Sequence, residues 1–193
     1  MKHTYNKNIS KETLNESDAF KLKKMGVPLK SVNLKLKSLD LSLPCCKGHG
    51  IGIVTENGGI SFVSTKTWKS FAIDRPGLVK IAAEDEQRHD TCLVFGGIMD
   101  YLSFLAIQQS RPMFLPLHGK EDVILVLSPS DFFRLAAMTD LYERVYLLLP
   151  RSECGSVMSK TMQLRNPRHV ANYDVFYAEY KTLFEYFTNL KDK

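Results

Sequence analysis

Few residues of this chain have the types and spacing that chemistry needs, and most of them lie beyond residue 90. Gly96-Gly97 closes the apolar run Leu93-Val-Phe95 and precedes Ile-Met-Asp-Tyr-Leu-Ser, which reads as a buried strand turning into a helix. Backbone N–H groups at such a junction can cradle a phosphate. No Lys or Ser/Thr follows as in a P-loop, so a tight turn is the commoner reading. Ser128-Pro-Ser130 lacks the flanking glycines of a nucleophile elbow. Cys45, Cys46 and His49 form a conceivable metal cluster, but no cysteine pair has the spacer usual in zinc sites, and reduced thiols are the favoured reading. Cys92 and Cys154 read as packing residues. His89, His118 and His169 read as exposed, and none forms a triad with a Cys or Ser. Trp68 between Lys66 and Lys69 offers a face for a base and cations for phosphate, weighed against simple packing on a hairpin. Arg165 and Arg168 flank Asn166-Pro167 and offer further phosphate contacts, against a plain solvated loop.

Composition sets broad limits. At 193 residues and 22.0 kDa the chain can hold one good-sized domain plus an appendage. No stretch approaches the roughly 20 apolar residues that cross a bilayer, and the N-terminus lacks the apolar run of a signal peptide. The expected setting is cytoplasmic, with no membrane partner. Charge is unevenly placed. Residues 1–50 hold ten lysines against four acids, a net of +6, while the rest of the chain carries −1. Lys21, Lys23, Lys24, Lys35 and Lys37 lie in that quarter, where clustering can draw phosphate backbones through counterion release. A solubilising lysine-rich surface is an equal alternative.

The elements that must position these residues follow from periodicity. Ser10, Leu14, Ala19, Phe20 and Leu22 predict a helix over about 10–25, ended by Gly26 and Pro28. Residues 29–43 alternate with a period of two and predict an extended strand. Ile51, Ile53 and Val54, then Glu-Asn-Gly-Gly, then Ile60, Phe62 and Val63 predict a hairpin. Shorter strands are expected at 68–71 and 78–82, with a solvated acidic loop at 84–90. From 91 onward apolar strands alternate with helices: strands 91–96, 122–128 and 144–149, helices 98–109, 130–141 and 155–164. Continuous apolar strands indicate a sheet covered on both faces. Phe176, Tyr177, Tyr180, Leu183, Phe184 and Phe187 predict one last helix over about 174–190.

Residues 93–103 resemble the first motif of Toprim domains, the metal-binding fold shared by primases and topoisomerases. That motif is an apolar strand, Glu-Gly, two residues, Asp and a helix. Here Gly96 stands at the Glu position and Asp100 is retained. The strand Val145-Tyr-Leu-Leu-Leu149 and the following Pro-Arg-Ser-Glu-Cys-Gly155 resemble the segment that carries Asp-x-Asp, with Pro150 and Ser152 at the two acidic positions. Glu153 is one residue out of place. Tyr180-Lys-Thr-Leu-Phe-Glu-Tyr-Phe187 is similar to a further pattern, Tyr-Lys-Asp-Leu-Asn-Glu-Tyr-Leu, with Thr182 for its Asp. Upstream, Gly50-Ile-Gly-Ile-Val-Thr-Glu-Asn-Gly-Gly-Ile-Ser-Phe62 resembles the segment before Toprim in primase-like proteins of bacterial mobilizable elements. Nothing in residues 1–47 has the ligand set of the zinc finger of those primases.

The resemblance implies an α/β, Toprim-like, mostly parallel sheet with helices on both faces at 89–193, preceded by a smaller basic α+β region at 1–88. Toprim catalysis gathers carboxylates from separate strand ends on magnesium, which demands oxygen ligands. Gly96, Pro150, Ser152 and Thr182 stand where acids belong, and the first two have no side-chain oxygen. The implied role is a catalytically inactive accessory protein of a mobile genetic element, without metal or cofactor, binding DNA, RNA or a replication, mobilization or excision partner. Two alternatives stay open: an interaction scaffold that binds no nucleic acid, and a divergent magnesium enzyme that rebuilds a displaced site from Asp100, Glu153 and Asp131. Capping is the expected task of Asp100, one turn into its helix.

Overall fold

The computed structural model describes residues 14–29, 36–42, 47–55, 58–81, 89–111 and 121–191. The chain divides into two compact units, Met1–Pro76 and Gly77–Lys193.

In the first unit helix α1 (Glu16–Lys24) starts at Asn15, whose Oδ1 accepts from the Asp18 N–H at 2.8 Å. The expected start near residue 10 lies outside the described residues, and Asn15 supplies the cap that marks the observed one. Gly26, at φ +83°, ends the helix as expected. Strands β1 (Lys37–Ser42), β2 (Lys47–Val54), β3 (Ile60–Ser64) and β4 (Ser70–Ile73) form an antiparallel sheet in chain order. The predicted hairpin is β2–β3, in register from Gly50↔Ser64 to Val54↔Ile60, with Gly58 at φ +80° in its turn. The long strand expected over 29–43 is narrower in the described residues, and 30–35 lie outside them. Trp68 precedes β4 instead of opening it.

The second unit carries a five-stranded sheet in the order β5-β7-β6-β8-β9. The strands are β5 (Leu78–Ile81), β6 (Thr91–Phe95), β7 (Asp122–Val126), β8 (Arg144–Leu148) and β9 (Val170–Asn172). β5 is antiparallel to β7 and every other pairing is parallel. The expected boundary at 88–89 therefore moves to 76–77, because β5 takes its hydrogen bonds from the second sheet. β9 was not expected; three residues are too few to show a period.

Helices α2 (Ile98–Ser110), α3 (Phe132–Thr139) and α4 (Glu153–Arg165) are the crossovers. Right-handed connection from β6 to β7 and then back across to β8 puts α2 on one face and α3 and α4 on the other. The packing agrees. Cys92, Val94, Ile124, Val126, Val145 and Leu147 join Leu135 of α3 and Met158 and Met162 of α4 in one core. Phe95, pointing the other way along its strand, meets Phe104 of α2 at 5.2 Å between ring centroids. A 3₁₀ turn (Pro129–Asp131) leads into α3. The single last helix expected over 174–190 is instead a 3₁₀ turn (Asp174–Tyr177) and a separate helix α5 (Leu183–Lys191), which packs on α2.

Candidate functional site

Parallel pairing of β6 and β8 brings the two strand ends that the family motifs mark side by side. Gly96 follows β6, and Pro150 follows Leu149 at the end of β8. A Cβ on Gly96 would overlap Pro150 Cδ and stand 2.5 Å from its Cγ. The pyrrolidine ring thus fills the space where a side chain at 96 would begin. Neither residue offers an oxygen donor on its side chain.

The neighbouring positions have structural work. Ser152 caps α4, its Oγ accepting from the Gly155 N–H at 3.2 Å. A Cβ on Gly155 would overlap the Pro150 carbonyl oxygen, so only glycine lets the first turn of α4 close this tightly on the strand end. Thr182 caps α5 in the same way: its Oγ1 accepts from the Glu185 N–H at 3.0 Å, while Glu185 Oε2 accepts from the Lys181 N–H at 2.7 Å. This is a capping box displaced by one residue. Glu153 is the exposed first residue of α4, a favourable place for an acid beside a helix N-terminus.

Asp100 is buried, with 6% of its surface exposed. Its own helix α2 has no side-chain cap at Gly97. The carboxylate reaches α5 instead, accepting from the Phe184 N–H at 3.0 Å and from the Leu183 N–H. It caps a helix, but not its own as expected: the helix it serves begins more than eighty residues away. Burial pushes its pKa up to about 6, and the two backbone N–H groups oppose that rise only in part. Beside it Tyr177 donates from its hydroxyl to the Leu149 carbonyl at 2.8 Å, which ties the 3₁₀ turn to the end of β8. Asp131 lies against Gly77, 3.5 Å from a Cβ built there. Among the described residues no group of three or more His, Cys, Asp or Glu is placed to hold a metal ion.

The basic candidates divide. Lys23 and Lys24 are exposed in the last turn of α1, where lysine also complements the helix dipole. Lys21 is partly committed, donating to Thr65 Oγ1 at 3.0 Å and standing 3.6 Å from Asp18. Lys37 opens β1 and is half-buried; Lys35 lies outside the described residues. Lys66 and Lys69 are exposed on the β3–β4 turn. Half-buried Trp68 between them has φ +56°, a conformation that a bulky residue adopts at a cost. Arg165 pairs with Asp140, so it ties α4 to the end of α3, whereas Arg168 is exposed.

Two readings of single residues need correction. His89 is buried, 6% exposed, because it precedes β6 instead of lying in an open loop. Cys154 is exposed on α4 and is not a packing residue. His49 is held by two carboxylates: its Nε2 meets Asp18 Oδ2 and its Nδ1 meets Asp40 Oδ1, both at 2.8 Å. Cys45, Cys46 and His118 lie outside the described residues. His169 is exposed, as expected.

Two polar clusters, each built on a buried aspartate, were missed in the sequence. In the second unit Lys80 Nζ stands 2.7 Å from Asp122 Oδ2, and the Tyr142 hydroxyl donates to the same oxygen at 2.6 Å. In the first, Asp18 also accepts from Ser38 Oγ at 2.6 Å. Burial opposes the charge on His49, but the hydrogen bonds and charges of Asp40 and Asp18 outweigh it and hold its pKa above the ordinary value. A raised histidine contributes stability below about 6.5, its value in the unfolded chain, and that contribution fades as pH rises through the folded value. Thermal melts are expected to fall from pH 6.5 to pH 8.5, with a smaller fall in a His49→Gln variant. Equal slopes for the two chains count against this bridge.

No family model matches the chain, and no curated protein matches it. Among solved structures it is similar to the primase fragment of the bacteriophage T7 primase-helicase protein, with a TM-score of 0.51 and 12% identity over 93% of this chain and 71% of that one. This likeness, with the parallel-rich sheet, shows a primase-like, Toprim-like α/β fold. No helix among the described residues is long and apolar enough to cross a membrane.

Proposed function

We propose that this chain is a catalytically silent, primase-like accessory protein of a mobile genetic element, and that it acts by binding nucleic acid. One observation carries the first half. The ring of Pro150 occupies the space next to Gly96, and neither residue offers a side-chain oxygen at the strand ends where Toprim domains hold magnesium. The retained acid, Asp100, is committed to two backbone N–H groups of α5. The mobile-element setting rests on the resemblance of residues 50–62, 93–103, 145–155 and 180–187 to the motifs of those primase-like proteins. Contact with phosphate is supported by the +6 charge of residues 1–50 and by the exposed Lys23, Lys24, Lys66 and Lys69.

Salt dependence separates this reading from a protein-binding scaffold. Several lysines on a single strand release counterions, so about four phosphate contacts should weaken binding roughly 50-fold between 50 and 200 mM salt. An apolar interface hardly responds. The measurement is fluorescence anisotropy of labelled single-stranded and duplex DNA on the whole chain and on a variant with glutamine at 21, 23, 24, 35, 37, 66 and 69. The expected result is low-salt binding that the substitutions weaken and flatten against salt. Absence of binding at 50 mM, or indifference to the substitutions, defeats the nucleic-acid reading. Calorimetric titration with magnesium tests the other half: specific binding lost in Asp100→Ala or Glu153→Ala would restore the enzyme alternative.

A further inference from the structure

His49 stands at the centre of a polar seam that fastens helix α1 to the first sheet. Asp40, which meets its Nδ1 at 2.8 Å, is its cross-strand neighbour in the β1–β2 register. Asp18, which meets its Nε2 at 2.8 Å, comes from the helix lying over that face. Asp18 is fully buried, and the oxygen facing the ring also accepts from Ser38 Oγ at 2.6 Å. Its other oxygen has no hydrogen-bond partner among the described residues and only Lys21 Nζ at 3.6 Å. The seam runs on to either side. The Asn15 N–H donates to Ser38 Oγ of β1 at 2.9 Å, and Lys21 Nζ donates to Thr65 Oγ1, just after β3, at 3.0 Å.

The two contacts of the ring set its proton count. A neutral imidazole has one N–H and one lone pair, whereas an imidazolium has two N–H groups. With both carboxylates ionised, two contacts at 2.8 Å need two ring protons. Loss of one turns a lone pair on a carboxylate oxygen and removes the cation opposite Asp18. The carboxylates respond unequally. The Asp40 side chain is 73% exposed and can turn to water. Asp18 cannot, and a buried charge deprived of its counter-charge is costly while its helix stays docked. The other groups facing the bridge do not replace that cation. Ser38 and Thr65 are uncharged, and Lys21, on the same helix as Asp18, is drawn to Thr65.

We infer that His49 is a proton-operated latch: the imidazolium fastens α1, with the lysines of its last turn, to the sheet, and the neutral ring lets the helix loosen. Protonation therefore closes the latch, and it opens as pH rises through the titration of the folded ring. Lys21, Lys23 and Lys24 travel with the helix, so the latch sets whether these three cations stand in a fixed array. It is independent of what those lysines bind.

The test is hydrogen exchange of the full chain from about pH 6 to about pH 8.5, expressed as protection over the intrinsic rate at each pH. Protection of residues 16–25 is expected to fall about tenfold or more across this range, the loss of a charge-assisted hydrogen bond. Protection of residues 60–64 on β3 should not fall with it. The midpoint of the step should match that of the His49 ring C–H shift in NMR spectra, assigned by its absence from His49→Gln. That variant holds no titrating group at 49 and should lack the step. Asp18→Asn should lack it too, because an amide can donate to the unprotonated Nε2 and leaves no buried charge. If Asp18→Asn does not fold, His49→Gln decides alone. Protection of α1 that is flat against pH in the parent chain, or a step of equal size in His49→Gln, overturns the latch.

Discussion

A Gly96→Glu chain is expected to lose about 3 kcal/mol of stability and to gain no specific magnesium affinity. The first atom of the new side chain would overlap Pro150 Cδ, and a proline ring cannot swing aside as a flexible side chain would. Overpacking a close contact costs about 1–3 kcal/mol and at times more. The cost arises at Cβ, so Gly96→Ala should already show much of it. Pro150→Ala alone should cost far less. In the double variant Gly96→Glu/Pro150→Ala most of the loss is expected to return, as a positive coupling in a double-mutant cycle. Urea titrations of the four chains measure it. A Gly96→Ala chain with the midpoint of its parent would show that the ring does not fill this space.

The second large effect concerns Asp100. Its pKa in the folded chain, pushed up to about 6 by burial, lies above the unfolded value of 3.8. The folded chain therefore favours the protonated acid. The contribution to stability is whole below about pH 4 and is lost as pH rises through about 6. A rise of that size corresponds to roughly 3 kcal/mol. An Asp100→Asn chain carries no charge to bury and should lack this fall between pH 4 and 7. Asp100→Ala is different, because it leaves the Leu183 and Phe184 N–H groups buried without an acceptor, at roughly 1–3 kcal/mol each. Its expected signature is local: α5 should loosen from α2, and limited proteolysis should cut first near residues 178–183. A flat parent pH profile, or an alanine variant as resistant as its parent, would falsify this role for Asp100.

The alternation of strand and helix after residue 91 could be read directly, because strands buried on both faces are unbroken apolar runs. What could not be read was partnership. Residues 78–82 look like a strand from their own pattern, but nothing local says that β5 pairs with β7. The last helix misled for a different reason. Aromatic residues at helical spacing run through 176–187, and they hid the Thr182-x-x-Glu185 signal that starts α5. The meeting of Gly96 and Pro150 was accessible only through the family resemblance, which placed both at one strand-end site. The ring in the gap needed coordinates. So did the Asp100 bond to α5, which joins residues 84 positions apart, and the His49 bridge, whose carboxylates sit on two other elements. Partnership of this kind is a tertiary fact with no local period.

Gly96 and Pro150 also constrain the order in which these two positions can change. A side chain at 96 and a ring at 150 compete for one space, so changes at the two positions are expected to couple. From a chain with a larger residue at 96, taking the proline first would pass through an unstable intermediate. A descendant regaining an acid at 96 would have to give up the ring beforehand. The route between the open and the filled strand end therefore has a direction: the side chain leaves before the ring arrives, and the ring leaves before a side chain returns.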